Sequence, residues 1–554
     1  MNVRRHAATF ALFALMAAAH TWPLAAAPGR WSRVDNGDYS LNAWILAWVV
    51  HQAPRDPLHL FDANIFHPEP RTLAFSEHLV PQAIVAAPII WAGGSAVLAC
   101  NLVILAGFVL SAWSMAWVIT RWTGDWPAGI MAGALLAFNA HTLTRLTHVQ
   151  ALHNEFLPPA LLALDALLVG VSWGAAVRLG VYSALHGLTS GYSLVFGVIA
   201  IAAGALARIR DWIPLPQGGA QPPRRWSRLV QLVLAGAVAA IILAPFLWPY
   251  WAARQQQGLT RGIEEVTAFS ATGVEYVTTA GRLYMQTPMK WGYLHGERSD
   301  TLFPGFIATV LALISVISGV AWRDPRARMC LAIGLAGLFF SFGTRTPVYA
   351  WLYAHVPVLQ GIRAPVRFGF LALVAIAALA GFALAWARRE ACARTRVGAR
   401  GLALITAAVI LAAQAEAFRA PLWWREAGRI SPVYRVVARL PDAVIAEFPF
   451  YQPSDFYRNA DYMLASTTHW KPLVNGYSGF MPVRYRRMAE AMRTFPNAPT
   501  TDLLRAAGVT HVIIHRNRFG AGRDMLLRTM EASGEFARVS GDEQVRLYQL
   551  LPRP

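Results

Sequence analysis

Charge, lysine and cysteine are all scarce in this chain. Only 14% of its 554 residues are Asp, Glu, Lys or Arg, against roughly a quarter in soluble domains. That scarcity, with the high apolar content, excludes both an ordinary soluble enzyme and a disordered protein. Of the three cysteines, Cys100 and Cys330 sit in apolar runs and Cys392 in a basic stretch, with no CxxC spacing. Neither a disulfide framework nor a thiolate metal site is expected. Lysine occurs only as Lys290 and Lys471, so the net charge of +19 is almost entirely arginine's. What is abundant is apolar surface: 56% of residues are hydrophobic, and the mean hydropathy is +0.38. This is the composition of a polytopic membrane protein with structured loops. In a soluble chain the basic balance would point to nucleic acid. Here cytoplasmic loop charge and anionic lipid account for it, so the expected partner is the lipid bilayer and not nucleic acid.

The chain opens Met1-Asn2-Val3-Arg4-Arg5-His6 before an apolar run ending near Pro28. The small residues Ala25-Ala26-Ala27 suit a cleaved signal peptide, but the run is also long enough to span as a retained anchor, which is the preferred reading. Further apolar runs lie at 98–120, 126–139, 155–170, 173–187, 192–207, 229–248, 301–322, 329–342, 368–387 and 402–417. With the first they make about eleven spans. If the N-terminus is cytoplasmic and the spans alternate, the loops 121–125, 208–228, 323–328 and 388–400 fall inside. These carry the arginine clusters, as the positive-inside rule requires. Residues 28–97, 140–154, 249–300, 343–367 and everything after about 418 then lie outside.

Beyond residue 418 no spanning run remains. The β-branched runs 443–447 and 509–515 read as strands, 501–508 and 523–534 as helices, and 544–551 as a last strand. The Pro/Gly-rich stretch 214–223 reads as a cytoplasmic linker. The expected fold is therefore a mainly α polytopic membrane bundle, about eleven transmembrane helices, with a small C-terminal α/β extracytoplasmic domain. The bundle is 1–418, with 28–97 as its first outer loop, and the outer domain is 419–554.

The first outer loop is rich in chemistry. It begins Arg33-Val34-Asp35-Asn36-Gly37-Asp38-Tyr39 and continues through His51, His59, Asp62, His67, Glu69, Glu77 and His78. A glycine between two acids makes a turn that can project both carboxylates, and a carboxylate at a partly dry interface can take a proton from a hydroxyl. The other reading is an Asx turn capping a helix that begins near Ser40. Asp35, Asp38, His51, Glu77, His78, His148 and His153 could ligate a divalent cation, but no spacing fixes a metal site. In the second outer segment, His141, Arg145 and His148 would share one face of a helix, as would His148 and Glu155. Polar groups so near the membrane are costly unless they face a cavity, so substrate contact and interfacial anchoring both fit. The third feature is Gly361-Ile362-Arg363-Ala364-Pro365-Val366-Arg367-Phe368. Two arginines flank a proline at the outer mouth of a span, where positive-inside logic disfavours them. Guanidinium groups bind phosphate by charge-assisted hydrogen bonds, so a lipid phosphate fits here, as does bulk headgroup contact. Loop 249–300 adds Glu264, Glu265, Glu275, Tyr276, Tyr284, Lys290, Trp291 and Tyr293, which suit an interfacial aromatic belt or sugar stacking.

This layout resembles the type-C glycosyltransferases: a first span, a long outer loop with the acids Asp35 and Asp38, a many-helix bundle and an outer C-terminal domain. The stretches Arg363–Arg367 and Leu504–His515 also look like features of large bacterial members. The resemblance implies transfer of a sugar from a polyprenyl-phosphate donor on the outer face of a bacterial inner membrane. It implies Asp38 or Asp35 as catalytic base, with Glu155 or the Glu264–Glu265 pair as a second acidic element. Substrate contacts are expected at Arg363, Arg367, His148, Glu155, His78 and Tyr39. No cofactor is certain, a divalent cation is possible, and the acceptor is a glycan, a lipid or a protein. A transporter or lipid flippase, and a non-catalytic envelope assembly protein, are the alternatives. Against a transporter, the spans show no paired broken halves.

Overall fold

The computed structural model describes residues 1–33, 37–170, 172–212, 225–258, 261–287, 301–394, 398–520 and 522–552. Asp35, Lys290, Trp291, Tyr293 and the linker 214–223 lie outside the described residues. The chain forms two compact units. One holds residues 1–27, 103–247 and 260–423, and the other holds 28–102, 248–259 and 424–554.

Every apolar run expected to span is helical. Among the described residues four helices are long and apolar enough to cross a membrane: Ala96–Thr123, Arg228–Gln257, Pro365–Arg394 and Ala399–Ala417. Val80–Trp91, Leu157–Val169, Gly191–Ala207 and Phe306–Ile317 are shorter apolar helices. Polar caps set several boundaries. Asp125 accepts from the Ala128 amide and so opens Trp126–Ala137. Ser172 and Ser190 do the same for Trp173–Thr189 and Gly191–Ala207, and Asp324 for Pro325–Ser341. Each side-chain oxygen satisfies an amide that the first turn leaves unbonded. The run 301–322 is not one helix. It breaks at Ser318–Gly319, where Gly319 takes φ +82°, and restarts as Val320–Arg323.

The first unit is built around Gly369–Arg394, which is buried along nearly its whole apolar length. It packs against Pro325–Ser341, Phe306–Ile317 and Trp126–Ala137. Close approach depends on glycine: a Cβ at Gly337 would lie 2.5 Å from Leu371 Cβ and 2.8 Å from the Phe368 carbonyl oxygen. A buried charge cluster sits in this unit. Asp165 pairs with the buried Arg208 and, at 2.9 Å, with Arg326 Nε. A carboxylate there needs such partners, because burying it alone is costly.

In the second unit, residues 28–97 are not a loose loop: they contribute the helices Asp38–Gln52 and Val80–Trp91. The first is buried from Tyr39 to Val50, on all faces, and packs against Val80–Trp91 and Asn459–Ser466. The segment also adds β1 (Trp31–Ser32), antiparallel to β2 (Arg425–Glu426), with Arg30 paired to Glu426. The expected C-terminal strands are present as β3 (Ile445–Phe448), β4 (His511–His515) and β6 (Val545–Leu550), and β5 (Phe536–Gly541) is additional. The sheet order is β3-β4-β6-β5. β3 and β4 are parallel, in register Ile445 to His511, and the other pairings are antiparallel. The edge strand β3 and the inner strand β4 are buried along their whole length, and each is mainly apolar, with Glu447 in β3 and a histidine at each end of β4.

Candidate functional site

Each unit carries one polar centre that sequence reasoning had marked. In the second unit it is Asp38, the first residue of the helix Asp38–Gln52. The helix begins at Asp38, two residues before the Asx-turn reading would place it, and Gly37 is its N-cap with φ +89°. Only glycine suits that position, since a Cβ there would lie 2.5 Å from the Tyr457 carbonyl oxygen. The half-buried Asp38 accepts a 2.8 Å hydrogen bond from the Tyr477 hydroxyl. Tyr477 is braced edge-on by Phe456, with ring centroids 5.3 Å apart. Two residues along, Ser40 donates to Asp461, whose other oxygen receives Arg518 Nη2 at 2.8 Å. The Asp38 carboxylate thus sits at a helix N-terminus with a phenol among its partners, and an ionised carboxylate is an acceptor only.

In the first unit the centre is a cleft of about 50 Å³, lined by His141, Arg145, His148, Asn154, Tyr192 and Arg367 among others. That is room for a phosphate-sized group. The helical face expected for His141, Arg145 and His148 does not exist as one helix. The chain turns instead through a 3₁₀ segment, Thr142–Thr144, and a short helix, Val149–Leu152. Asn139 makes the turn. It donates to the Leu135 and Leu136 carbonyls and accepts from the amide and hydroxyl of Thr142. The cleft therefore gathers by irregular backbone what a helix would have presented by period.

The Arg367 guanidinium lies 4.8 Å from the centre of the Tyr192 ring, and the Tyr192 hydroxyl accepts from the Ala364 amide at 3.0 Å. Pro365–Phe368 is a 3₁₀ turn, pinned by the fully buried Phe368 against Phe196 and Phe340. His141 Nδ1 bonds to the Thr301 carbonyl at 2.9 Å. A carbonyl only accepts, so that nitrogen carries the proton. Burial, then the charge of Arg145, pushes the His141 pKa down to about 3. Burial and then Arg367 and Arg145 hold His148 well below the ordinary histidine value. Burial and the neighbouring Arg367 bring Arg145 down to about 9, so it stays cationic at neutral pH. The cleft thus presents two guanidinium groups and two neutral imidazoles, with no carboxylate among its described lining residues.

The other marked residues lie elsewhere. Arg363 does not line this cleft. It pairs with Glu265 at 2.8 Å and covers the Phe269 ring. Glu265 also faces Arg261 at 3.6 Å, and Glu264 is exposed. Glu155 is held by His153 Nδ1 at 2.9 Å, while His153 Nε2 bonds to the Val103 carbonyl. Although burial opposes it, Glu155 raises the His153 pKa. Tyr39 is fully buried, its hydroxyl donating to Asn101 at 2.9 Å. His78 is buried against Phe61 and Tyr250, and its Nδ1 accepts from the Val80 amide. Tyr39 and His78 are thus buried, Glu155 is bonded to His153, and none of the three lines the cleft. Among the described residues no three His, Cys, Asp or Glu side chains gather as metal ligands. Tyr477 and Tyr192 were not legible, being hundreds of positions, or many dozens, from their partners.

No protein-family model matches the sequence, and no curated protein matches it. Solved structures do match in fold. The arabinofuranosyltransferase AftD from Mycobacteria superposes with a TM-score of 0.60 at 16% identity, over 100% of this chain and 40% of that one. The oligosaccharyltransferase AglB from Archaeoglobus fulgidus, in complex with an inhibitory peptide and a dolichol-phosphate, gives 0.51 at 13% identity, over 96% of this chain and 72% of that one. The chain thus spans about two fifths of the length of AftD. The fold is that of the type-C membrane glycosyltransferases.

Proposed function

We propose that the chain is an integral membrane glycosyltransferase that moves a sugar from a polyprenyl-phosphate donor to an acceptor hydroxyl on the outer face of a bacterial inner membrane. About eleven spans and an extracytoplasmic C-terminal domain belong to the same reading. The observation that carries it is the cleft of Arg145, Arg367, His141 and His148, cationic and without a described carboxylate, in the unit holding most of the apolar helices. In the proposed reaction Asp38 accepts the acceptor's hydroxyl proton, with Tyr477 as the residue that positions it. The hydroxyl oxygen bonds to the anomeric carbon, and the bond from that carbon to the phosphate oxygen breaks. The phosphate leaves with the electron pair; within the first unit, Arg145 and Arg367 are the cations suited to hold a phosphate. One displacement inverts the anomeric centre.

The test is transfer from a polyprenyl-phosphate sugar in proteoliposomes. Asp38→Asn is expected to lose about 10²–10⁴-fold in rate, and Arg367→Gln about 10²-fold, both with wild-type gel-filtration profiles. Full transfer by Asp38→Asn would remove the base. Solute uptake without a covalent product would favour a transporter.

A further inference from the structure

The second unit holds a larger groove, of about 680 Å³, that the proposed chemistry leaves unused. His51, Arg55, Trp91, Arg429, Thr468 and Trp470 line it. Its described lining contains no Asp or Glu. The acids beside these residues in sequence are already paired, Glu426 with Arg30 and Asp56 with His59. The groove therefore presents positive charge that no described lining group neutralises.

Trp470 sits in it at φ +56°, the left-handed region that a bulky aromatic residue rarely adopts. Such strain persists only where the surroundings impose it. Here the Trp470 amide bonds to the Ser466 carbonyl at 2.8 Å. Its ring stacks on His51 with centroids 4.4 Å apart and lies 5.8 Å from Trp48. Burial and the nearby Arg55 bring the His51 pKa down to about 4, so at neutral pH the stack is a flat, uncharged surface. Trp91, at the end of Val80–Trp91, adds a second indole that is 68% exposed. Flat aromatic faces match the C–H face of a pyranose, hydroxyl side chains match its edges, and guanidinium groups match a carboxylate or phosphate substituent.

We infer that this groove binds an acidic saccharide, its ring against Trp470 or Trp91 and its anionic substituent on Arg55 and Arg429. That this saccharide is the acceptor rests on the transferase reading, whereas its binding does not.

The experiment is calorimetry on the full chain in phosphatidylcholine nanodiscs, with tetragalacturonate and its neutral methyl ester as probes. Tetragalacturonate is expected to bind at least about tenfold more tightly than the ester, with an affinity that falls as salt rises. Arg429→Gln, at an exposed position, and Trp470→Ala are each expected to weaken it about tenfold. Equal affinity for both probes, no binding, or no effect of Arg429→Gln would overturn the inference. So would loss of binding when phosphatidylglycerol replaces phosphatidylcholine, which would assign the groove to lipid headgroups. Donor-dependent transfer is measured separately. A wild type that binds the acid but transfers no sugar would sink the transferase reading and leave the groove assignment standing.

Discussion

At residue 37 the absence of a side chain decides where Asp38 points. Gly37→Ala would place a Cβ 2.5 Å from the Tyr457 carbonyl at φ +89°. It should cost about 1–3 kcal/mol in stability and lower transfer by displacing the carboxylate, which thermal melts and initial rates on one preparation would show together. Tyr477→Phe tests a different point. It removes the 2.8 Å bond to Asp38 while keeping the ring against Phe456. The expected result is a several-fold fall in kcat, with the thermal midpoint nearly unchanged. An unaltered kcat would show that the phenol does not position the base. The histidines make a pH prediction. Burial and nearby arginines keep His141 and His148 neutral in the folded protein at pH 7, whereas in the unfolded chain they take protons below about 6.5. A depressed folded pKa stabilises fully above the unfolded value and is lost as pH falls through the folded one. Melting temperature should therefore drop steadily from pH 6.5 towards 4. Affinity of the cleft for a phosphodiester, whose single charge does not change in this range, is carried by arginine and should stay flat between pH 8 and 6. An affinity that rises below 6.5 would mean the imidazoles gain charge there.

The helices expected from apolar runs are the helices observed, because a stretch too apolar for water has few options once every backbone group must be bonded. Asp38–Gln52 was legible only as the alternative of a capped helix beginning near Ser40, and Val80–Trp91 was hidden among loop residues. The first is buried on all faces and so shows no amphipathic period to read. β5 was missed for the opposite reason: on the sheet edge, only Phe536 of its six residues is fully buried. Packing between elements was the least legible feature, and Gly337 shows why. Its lack of a side chain lets Pro325–Ser341 sit against Leu371 and the Phe368 carbonyl, the residue after Arg367. A lone glycine in an apolar run does not announce that role. Gly337→Val is expected to cost about 1–3 kcal/mol through overpacking. It should also weaken phosphate binding, because the 3₁₀ turn that carries Arg367 must move with Phe368. Intact binding in a destabilised Gly337→Val protein would separate the turn from the helix contact.

Across the whole molecule, the two units draw on alternating stretches of chain, so residues 28–102 join 424–554 in one unit. That grouping was not legible, since no local pattern in the first outer loop names a partner some four hundred positions away. Charge is different, because the membrane sorts it. Arg208, Arg210, Arg323, Arg326, Arg328, Arg388 and Arg389 all flank ends of apolar helices that the alternating topology places inside. On the proposed topology Arg145, Arg363 and Arg367 would fall on the side where arginine is disfavoured; Arg363 pairs with Glu265, and Arg145 and Arg367 line the cleft. The same bookkeeping puts the sheet of β3 to β6 outside. Alkaline phosphatase fused after residue 552 should be active and a fluorescent protein fused there dark, with both results reversed for fusions at 210 and 390. A cytosolic C-terminus would put the Asp38 unit on the wrong side for a donor in the outer leaflet, because residues 28–102 and 424–554 belong to one compact body. It would also turn Arg145 and Arg367 from disfavoured charges that call for a ligand into ordinary inside arginines, removing the argument that singles them out.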